Sequence, residues 1–301
     1  MHTKIQRVLF AVLLICPGFA PAARAQGKCS LATFAGTYVS FDRGSSLIID
    51  LESQGVLLPT PTAPKNPLAW EARGIVPFVN IAQVTYTPDG VGNGYFWMFA
   101  GTAGATLEPI PLQINVTELN EDCTGKFQYT LPSGSTIVER FIVFDNGSQY
   151  RSIPASGGIP TLTWIGNGQR IRKYSEPVHS CGPQTAHGTY LMTCENILRT
   201  VPFPTKAVAD TLMLRMDVSM GGDYTGLLYE RFGMTFIDAR PAWGNISVNP
   251  DCSFDGTLSI QDAGTLQKRG LFLNEGKEFY SMGINLDGIK YSFCQGTRIE
   301  K

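Results

Sequence analysis

The stretch CSLATFAGTY (Cys29–Tyr38) has a counterpart later in the chain, CGPQTAHGTY (Cys181–Tyr190). The separation between the two cysteines equals the separation between the Gly-Thr-Tyr triplets that start at Gly36 and Gly188. The recurrence of this segment at a constant spacing indicates an internal duplication.

Two further pairs of landmarks support the duplication. The segment INVTELNEDCTGKFQYTL (Ile114–Leu131) corresponds to NISVNPDCSFDGTLSI (Asn245–Ile260), and each contains a polar turn, an acid and a cysteine before a strand-like run. The closing segments also correspond, with GQRIRK (Gly168–Lys173) matching GTRIEK (Gly296–Lys301). The common order of these landmarks predicts two copies of one domain.

The predicted repeats cover residues 27–174 and 180–301. Runs such as GTYVSF, GYFWMFAG and RGLFLN are short, rich in β-branched and aromatic residues, and bounded by Gly, Pro, Asn or Asp, which is typical of strands. No stretch keeps a helical period over three turns. We therefore expect an all-β protein of two tandem antiparallel β-barrels, since closing a small sheet removes its exposed edges.

The first residues have the form of a secretory signal. Lys4 and Arg7 precede an apolar run, VLFAVLLIC (Val8–Cys16), and the small residues of APAARA follow. Residues 1–25 are predicted to be a signal peptide, which implies a secreted protein or one in the secretory-pathway lumen. A lipid anchor on Cys16 is the alternative. We expect no integral membrane span, because a membrane helix needs roughly 18 to 20 consecutive apolar residues.

Charge and cysteine content bound the partners and the compartment. Without Lys4, Arg7 and Arg24, 21 basic residues face 25 acidic ones, so no nucleic-acid partner is expected, because such a partner requires a basic surface. Six cysteines remain, and an even number behind a signal peptide indicates three disulfides. Three sequons are predicted glycosylation sites, at Asn115, Asn146 and Asn245.

At this point the residues resemble a known family. A Gly-x-aromatic on the first strand and an arginine on the last strand is the pattern of lipocalins and related calycins. The resemblance implies lipocalin-like barrels in which the arginine packs across the aromatic ring at the closed end. Tyrosine stands where lipocalins carry tryptophan, and their second motif has no counterpart here. The matching residues are Gly36, Tyr38 and Arg170 in repeat one, and Gly188, Tyr190 and Arg298 in repeat two.

The cysteines fit the same scheme. The first cysteine of each repeat and the cysteine in its polar turn occupy equivalent landmarks, so equivalent pairing is the economical choice among fifteen connectivities. The remaining two cysteines belong to the first and last strands of repeat two, which are neighbours in a closed barrel. The expected disulfides are Cys29–Cys123, Cys181–Cys252 and Cys194–Cys294.

The familiar catalytic signatures are missing from the sequence. Beyond the signal only two histidines occur, His179 and His187, and no His-x-His, His-Glu-x-x-His, Cys-x-x-Cys or Gly-x-Ser-x-Gly motif is present. We therefore expect no metal site and no cofactor.

Aromatic residues are the main candidates for a binding site. WEARG (Trp70–Gly74) and GYFWMFAG (Gly94–Gly101) bring them close in sequence. Alternation along a strand predicts one face with the tyrosine, the tryptophan and the second phenylalanine of GYFWMFAG, and another face with the first phenylalanine and the methionine. One interpretation is barrel core, and the other is a cavity for a small apolar molecule. The predicted ligand-binding residues are Trp70, Tyr95, Trp97, Phe99 and Tyr229.

Charged residues near these aromatics are the candidates for catalysis. Glu71 or Asp42 would serve as a general acid or base if burial shifts its pKa, and Arg73 or Arg43 would polarise a carbonyl group. Exposed ion pairing is the alternative for each.

Two functions remain open at this stage. The first is a cofactor-independent cyclase or isomerase that folds a polyketide or terpenoid of secondary metabolism, similar to the paired lipocalin-like domains of fungal Diels-Alderase-type cyclases. The second is a non-catalytic secreted ligand-binding or cell-surface protein. The sequence identifies no protein partner.

Overall fold

The structure is a computed structural model of the 301-residue chain. It describes residues 28–49, 72–100, 104–105, 108–130, 134, 136–157, 162–177, 180–198, 208–232, 235–285 and 290–300. The predicted signal peptide, residues 1–25, lies outside the described residues.

The first half of the chain forms a closed antiparallel barrel of eight strands, with one additional strand of two residues at its edge. A one-turn helix, α1 (Leu31–Phe34), precedes the first strand. The strands are β1 (Gly36–Ile49), β2 (Ala72–Tyr86), β3 (Val91–Ala100), β4 (Gly104–Ala105), β5 (Ile110–Leu119), β6 (Thr124–Thr130), β7 (Thr136–Phe144), β8 (Gln149–Gly157) and β9 (Leu162–Lys173).

The second half forms another closed antiparallel barrel of eight strands, in which each strand pairs with the next and the last pairs with the first. Helix α2 (Pro183–Ala186) precedes it, as α1 precedes barrel one. The strands are β10 (Gly188–Leu198), β11 (Val208–Val218), β12 (Asp223–Phe232), β13 (Thr235–Val248), β14 (Ser253–Ile260), β15 (Gly264–Leu273), β16 (Glu278–Asn285) and β17 (Lys290–Glu300). The predicted all-β fold of two tandem barrels is confirmed.

The closed end of barrel one is built around Tyr38, which is 1% exposed. Its hydroxyl donates one hydrogen bond that the carbonyls of Phe34, at 2.7 Å, and Gly147 share. Arg170 lies opposite Tyr38 on the neighbouring strand and donates to the carbonyl of Thr33 at 2.7 Å. The tyrosine and the arginine thus hold α1 and the β7–β8 turn over the end of the barrel.

Barrel two repeats this arrangement with Tyr190 and Arg298, which are also cross-strand partners. The Tyr190 hydroxyl donates to the carbonyl of Gly276 at 2.7 Å, and Arg298 donates to that of Glu275 at 2.7 Å. The guanidinium carbon lies 5.7 Å from the centre of the tyrosine ring, so the arginine packs over the aromatic as the lipocalin resemblance implies.

Each barrel carries a disulfide at the same place. The amide of Val143 donates to the carbonyl of Cys123 in barrel one, and the amide of Phe272 donates to that of Cys252 in barrel two, both at 2.9 Å. The third disulfide joins cross-strand partners on β10 and β17. All three predicted pairs are present: Cys29–Cys123, Cys181–Cys252 and Cys194–Cys294.

The two barrels pack side by side through the outer faces of β1–β3 and β15–β17. The rings of Phe41 and Tyr280 stack across this interface with their centres 4.8 Å apart. Polar contacts at its edge include the ion pair of Arg43 with Glu195 at 3.0 Å. Because the outer faces are covered here, these strands are buried on both sides. The apolar interface residues include Val39, Ile81 and Trp97 of barrel one and Leu271, Met282 and Phe293 of barrel two.

Candidate functional site

A cavity lies inside barrel one, beyond the rings of Phe34 and Tyr38 that stack at its closed end. Its volume is about 100 Å³, which accommodates several water molecules or one small organic molecule, since a single water needs roughly 10 to 15 Å³. Its lining is mainly apolar, and its described walls contain two carboxyl groups and no Lys, Arg or His. The aromatic residues of the wall are Tyr86, Phe96, Phe127, Tyr129, Tyr150 and Trp164.

Strand alternation brings the polar groups inside. On β1, Tyr38, Ser40 and Asp42 point inward, while Phe41 points to the other barrel. Gly166 on β9 makes room for this cluster. A Cβ atom there would lie 2.3 Å from the Ser152 hydroxyl oxygen and 2.9 Å from a carboxylate oxygen of Asp42. A larger residue at position 166 would therefore displace the site.

Asp42 is one of the two acids of the cavity, and it is 8% exposed. The side-chain amide of Asn80 donates to its Oδ2 at 2.8 Å. Burial raises the pKa of Asp42 well above the usual range, and the charge of Glu139 raises it further, while hydrogen bonds from Asn80 and Ser40 act in the opposite direction. The cavity therefore favours the protonated form of this carboxyl group.

Glu139 is the second acid, 6% exposed and positioned by β7. Its Oε1 accepts hydrogen bonds from the Tyr129 hydroxyl at 2.7 Å and from the indole nitrogen of Trp164 at 3.1 Å. Burial raises the pKa of Glu139, and the hydrogen bonds that it accepts from Ser152, Tyr129 and Trp164 partly offset this effect. Both acids thus sit where ionisation is disfavoured and where each disfavours the ionisation of the other.

Two polar atoms of the cavity lack a partner among the described residues: the Tyr86 hydroxyl and the Oδ1 of Asn80. Tyr86 is 1% exposed and lines the cavity. A buried polar group without a hydrogen bond is costly, at about 1 to 3 kcal/mol, so such atoms mark places where a bound molecule or water is held.

Barrel two provides an internal comparison. Cys194 lies four residues after Tyr190, as Asp42 lies four residues after Tyr38. Lys268 lies four residues before Phe272, whose amide donates to the carbonyl of Cys252. Glu139 likewise lies four residues before Val143, whose amide donates to the carbonyl of Cys123. The carboxyl groups of barrel one are therefore replaced by a disulfide sulfur and an amine. A barrel of this kind closes without the acids.

Of the predicted catalytic residues, one faces the cavity, one points away from it, and two have side chains outside the described part of the structure. Asp42 faces the cavity. Arg43 points outward to Glu195 and over the ring of Phe41, at 4.8 Å from its centre. Glu71 lies outside the described residues, and Arg73 is described only as a backbone position on β2.

The three predicted ligand-binding residues whose side chains are described, Tyr95, Trp97 and Tyr229, do not line the cavity. Tyr95 and Trp97 lie in the interface between the barrels, whereas Phe96 and Met98 line the cavity. Trp70 lies outside the described residues, and Phe99 is described only as a backbone position on β3. Tyr229 is half-buried on β12, beside a groove that Arg43 also lines.

Substitutions of Tyr95 and Tyr229 test this placement. Tyr95→Phe is expected to lower the free energy of unfolding by about 1 to 2 kcal/mol, because the hydroxyl donates to Asp251 and lies 2.7 Å from both Asp251 Oδ2 and Gln83 Oε1. Tyr229→Phe, the matched control, is expected to change it by less than about 0.5 kcal/mol. Urea unfolding of both variants measures the difference, and equal effects would contradict the interface role of Tyr95.

Glu139, Tyr129 and Trp164 are site residues that sequence reasoning did not identify. A signal for Glu139 is present in TIVERFIVF, where it occupies the inward register between Ile137 and Phe141. A charged residue in the apolar phase of an alternating strand indicates a buried acid. Trp164 and Tyr129 carry no comparable signal.

Other features bear on the remaining predictions. No group of His, Cys, Asp or Glu side chains suited to a metal ion occurs in the described part of the chain. Among the same residues, no helix is long and apolar enough to cross a bilayer. The three sequon asparagines, Asn115, Asn146 and Asn245, are exposed, and their glycosylation stays a prediction.

No protein-family model matches the chain, and no characterised protein matches it in sequence. Among solved structures, a DUF3598-family protein of unknown function from Nostoc punctiforme is similar over 90% of this chain and 100% of its own, with 10% identity and a TM-score of 0.26. Transferrin binding protein B of Haemophilus parasuis, as a Trp-176-Ala mutant, is similar over 88% of this chain and 76% of its own, with 8% identity and a TM-score of 0.27. Intact Ap-TbpB, with its N and C lobes, is similar over 88% of this chain and 77% of its own, with 7% identity and a TM-score of 0.28. Scores this low carry no inference about function.

Proposed function

We propose that barrel one binds a small, largely apolar molecule and holds its polar group at Asp42 and Glu139. The observation that carries the proposal is the pair of buried acids within an aromatic cavity. Apolar walls with a few convergent polar groups and perturbed pKa values are typical of small-molecule sites.

The comparison within the chain supports a functional origin for the acids. Both barrels keep the elements that closure requires, namely the tyrosine, the arginine and the turn disulfide. Only barrel one keeps the two carboxyl groups, although burying them is unfavourable. A feature that opposes folding and is dispensable for the fold is best explained by binding or chemistry.

We infer that this binding protein acts outside the cell or in the secretory pathway. Three disulfides persist in oxidising compartments, and the predicted signal at residues 1–25 fits the same route.

A cyclase or isomerase is the second candidate, and the coupling of the two acids favours it. In that function, one carboxyl group donates its proton to the substrate while the other, ionised, accepts a proton released from it. The number of protons on the pair is unchanged after one turnover. The chemistry would need only the groups of the cavity.

Binding can be tested with a variant that fills the cavity. Ala82 lines it, and the equivalent position of barrel two is Leu214. Ala82 lies two residues before the cross-strand partner of Tyr38, and Leu214 lies two residues before the cross-strand partner of Tyr190. Ala82→Leu therefore installs a residue that this barrel type already accepts. It is expected to weaken binding of 2-phenylethanol or 2-phenylethylamine at least tenfold, measured by calorimetry.

The matched control is Thr163→Leu, an exposed substitution on β9 that leaves the cavity unchanged. It should bind both probes as the unmodified protein does. Native mass spectrometry of protein from its own host should also show a co-purifying small molecule. Failure of both probes to bind, with no co-purifying molecule, would contradict the proposed function.

A further inference from the structure

We propose that the ligand of the barrel-one cavity is a protonated amine, a small organic ammonium ion with an aromatic or aliphatic body. This inference rests on the proposed function and specifies the chemical class of its ligand. Three features of the cavity support it: its uncompensated acids, its unmet hydrogen-bond acceptor and its aromatic walls.

The first feature is charge. The described walls contain Asp42 and Glu139 and no basic side chain, and neither acid has a cationic partner within the part of the chain that the structure describes. The other titratable groups that face the two acids are tyrosines, which supply no positive charge: Tyr86, Tyr129 and Tyr150. Buried carboxylates in proteins are paired with a positive charge or coordinate a metal. An ammonium group on the ligand supplies the missing charge.

The second feature is hydrogen bonding. An ammonium group offers up to three N–H donors and no acceptor. The cavity presents acceptors that match it, the carboxylate oxygens and the unpartnered Oδ1 of Asn80. The unpartnered Tyr86 hydroxyl can also accept. A carboxylate ligand would instead add a negative charge where burial already disfavours the ionisation of both acids.

The third feature is the wall. Tyr86, Tyr129 and Trp164 all line the cavity, and Trp164 and Tyr129 bond directly to Glu139. Aromatic side chains attract cations through the negative faces of their rings. The acid that would bind the cation therefore lies next to two aromatic side chains of the cavity wall.

Barrel two shows the opposite electrostatics at the equivalent level. Lys268 replaces Glu139, and its Nζ lies 2.8 Å from the Cys294 sulfur and 3.6 Å from the Met192 sulfur. The duplicated positions have thus diverged in charge. An amine should bind in barrel one alone.

Calorimetry with three probes of similar shape tests the proposal. We expect 2-phenylethylamine to bind at least tenfold more tightly than the neutral 2-phenylethanol, and phenylacetate to bind more weakly than both. Amine binding should release protons, seen as a dependence of the observed heat on the ionisation enthalpy of the buffer. Its affinity should rise with pH, since the pair must ionise to hold the cation and burial keeps its pKa values high.

Variants separate this inference from the proposed function. Asp42→Asn and Glu139→Gln should each reduce the preference for the amine at least fivefold and leave alcohol binding within about twofold. Lys268→Met, at the equivalent position of barrel two, should leave the affinity for both probes unchanged. If the amine and the alcohol bind equally well and Ala82→Leu weakens both, the amine class is wrong and the binding function stands. Tighter binding of phenylacetate would also overturn the amine class.

Discussion

Lys268→Met is expected to stabilise the protein by about 3 to 5 kcal/mol at pH 6. Burial lowers the pKa of Lys268 from 10.5 to about 7 in the folded protein, and each unit of such a shift corresponds to about 1.4 kcal/mol. The side chain is 7% exposed, and among the described residues the hydrogen-bond partners of its Nζ are sulfur atoms, those of Met192, Cys194 and Cys294. Methionine keeps most of the buried stem and removes the charge.

The sign of the pH dependence follows from the lowered pKa. Between pH 7 and 10.5 the unfolded chain binds more protons than the folded one, so the stability of the unmodified protein rises with pH over this window. Below pH 7 the full cost of burying the ammonium ion remains. The advantage of Lys268→Met should therefore be largest at pH 6 and much smaller at pH 9.

Guanidinium unfolding at pH 6 and pH 9 measures this difference. Lys277→Met is the matched control, because Lys277 is exposed in the β15–β16 turn, and it should change the stability by less than about 0.5 kcal/mol at both pH values. An unchanged stability of Lys268→Met at pH 6 would show that the amine has a stabilising partner.

The architecture was predictable because it depends on short-range signals. The repeated Cys to Gly-Thr-Tyr stretch contains both the helix and the tyrosine of the closed end, and Tyr38 and Tyr190 make the same two kinds of hydrogen bond. Once the repeats are aligned, the cysteines Cys29 and Cys181 each have one equivalent partner. Because of the duplication, the disulfide pairing could be predicted by matching equivalent cysteines of the two repeats.

The site was harder to predict, for a reason visible in β3. Alternation correctly separates Trp97 from Phe96, but the inward face cannot be chosen from the sequence when both faces are apolar. Both are apolar because barrel two covers the outside of this strand. Asp42 and Glu139 lie on strands that only barrel closure brings together, so the pair is invisible in either segment alone.

Asp42→Asn and Glu139→Gln are each expected to stabilise the protein at pH 7 by about 2 kcal/mol or more, since the folded protein must hold each acid protonated above its ordinary pKa, which costs up to about 1.4 kcal/mol per pH unit. The raised pKa values mean that the folded protein binds more protons than the unfolded chain once the pH exceeds the ordinary carboxyl values. The stability contributed by the protonated acids is fully present below about pH 4. It is lost as the pH rises toward the raised values.

Thermal unfolding between pH 4 and pH 8 tests this expectation. The unmodified protein should lose stability with rising pH, and each variant should flatten the slope, with an increase in Tm at pH 7 of about 4 to 8 °C if 1 kcal/mol shifts Tm by about 2 to 4 °C. Asp223→Asn, at an exposed position, is the control and should leave the slope unchanged.

The double variant Asp42→Asn with Glu139→Gln distinguishes two buried acids from two interacting ones. Each single substitution removes the burial cost of one acid together with its repulsion from the other, so the double variant should gain less than the sum of the single variants. Strict additivity would mean that the carboxyl groups do not interact, and the case for one shared ligand group would fail. A stabilised variant that no longer prefers the amine would show that barrel one retains its acids at the expense of its own stability.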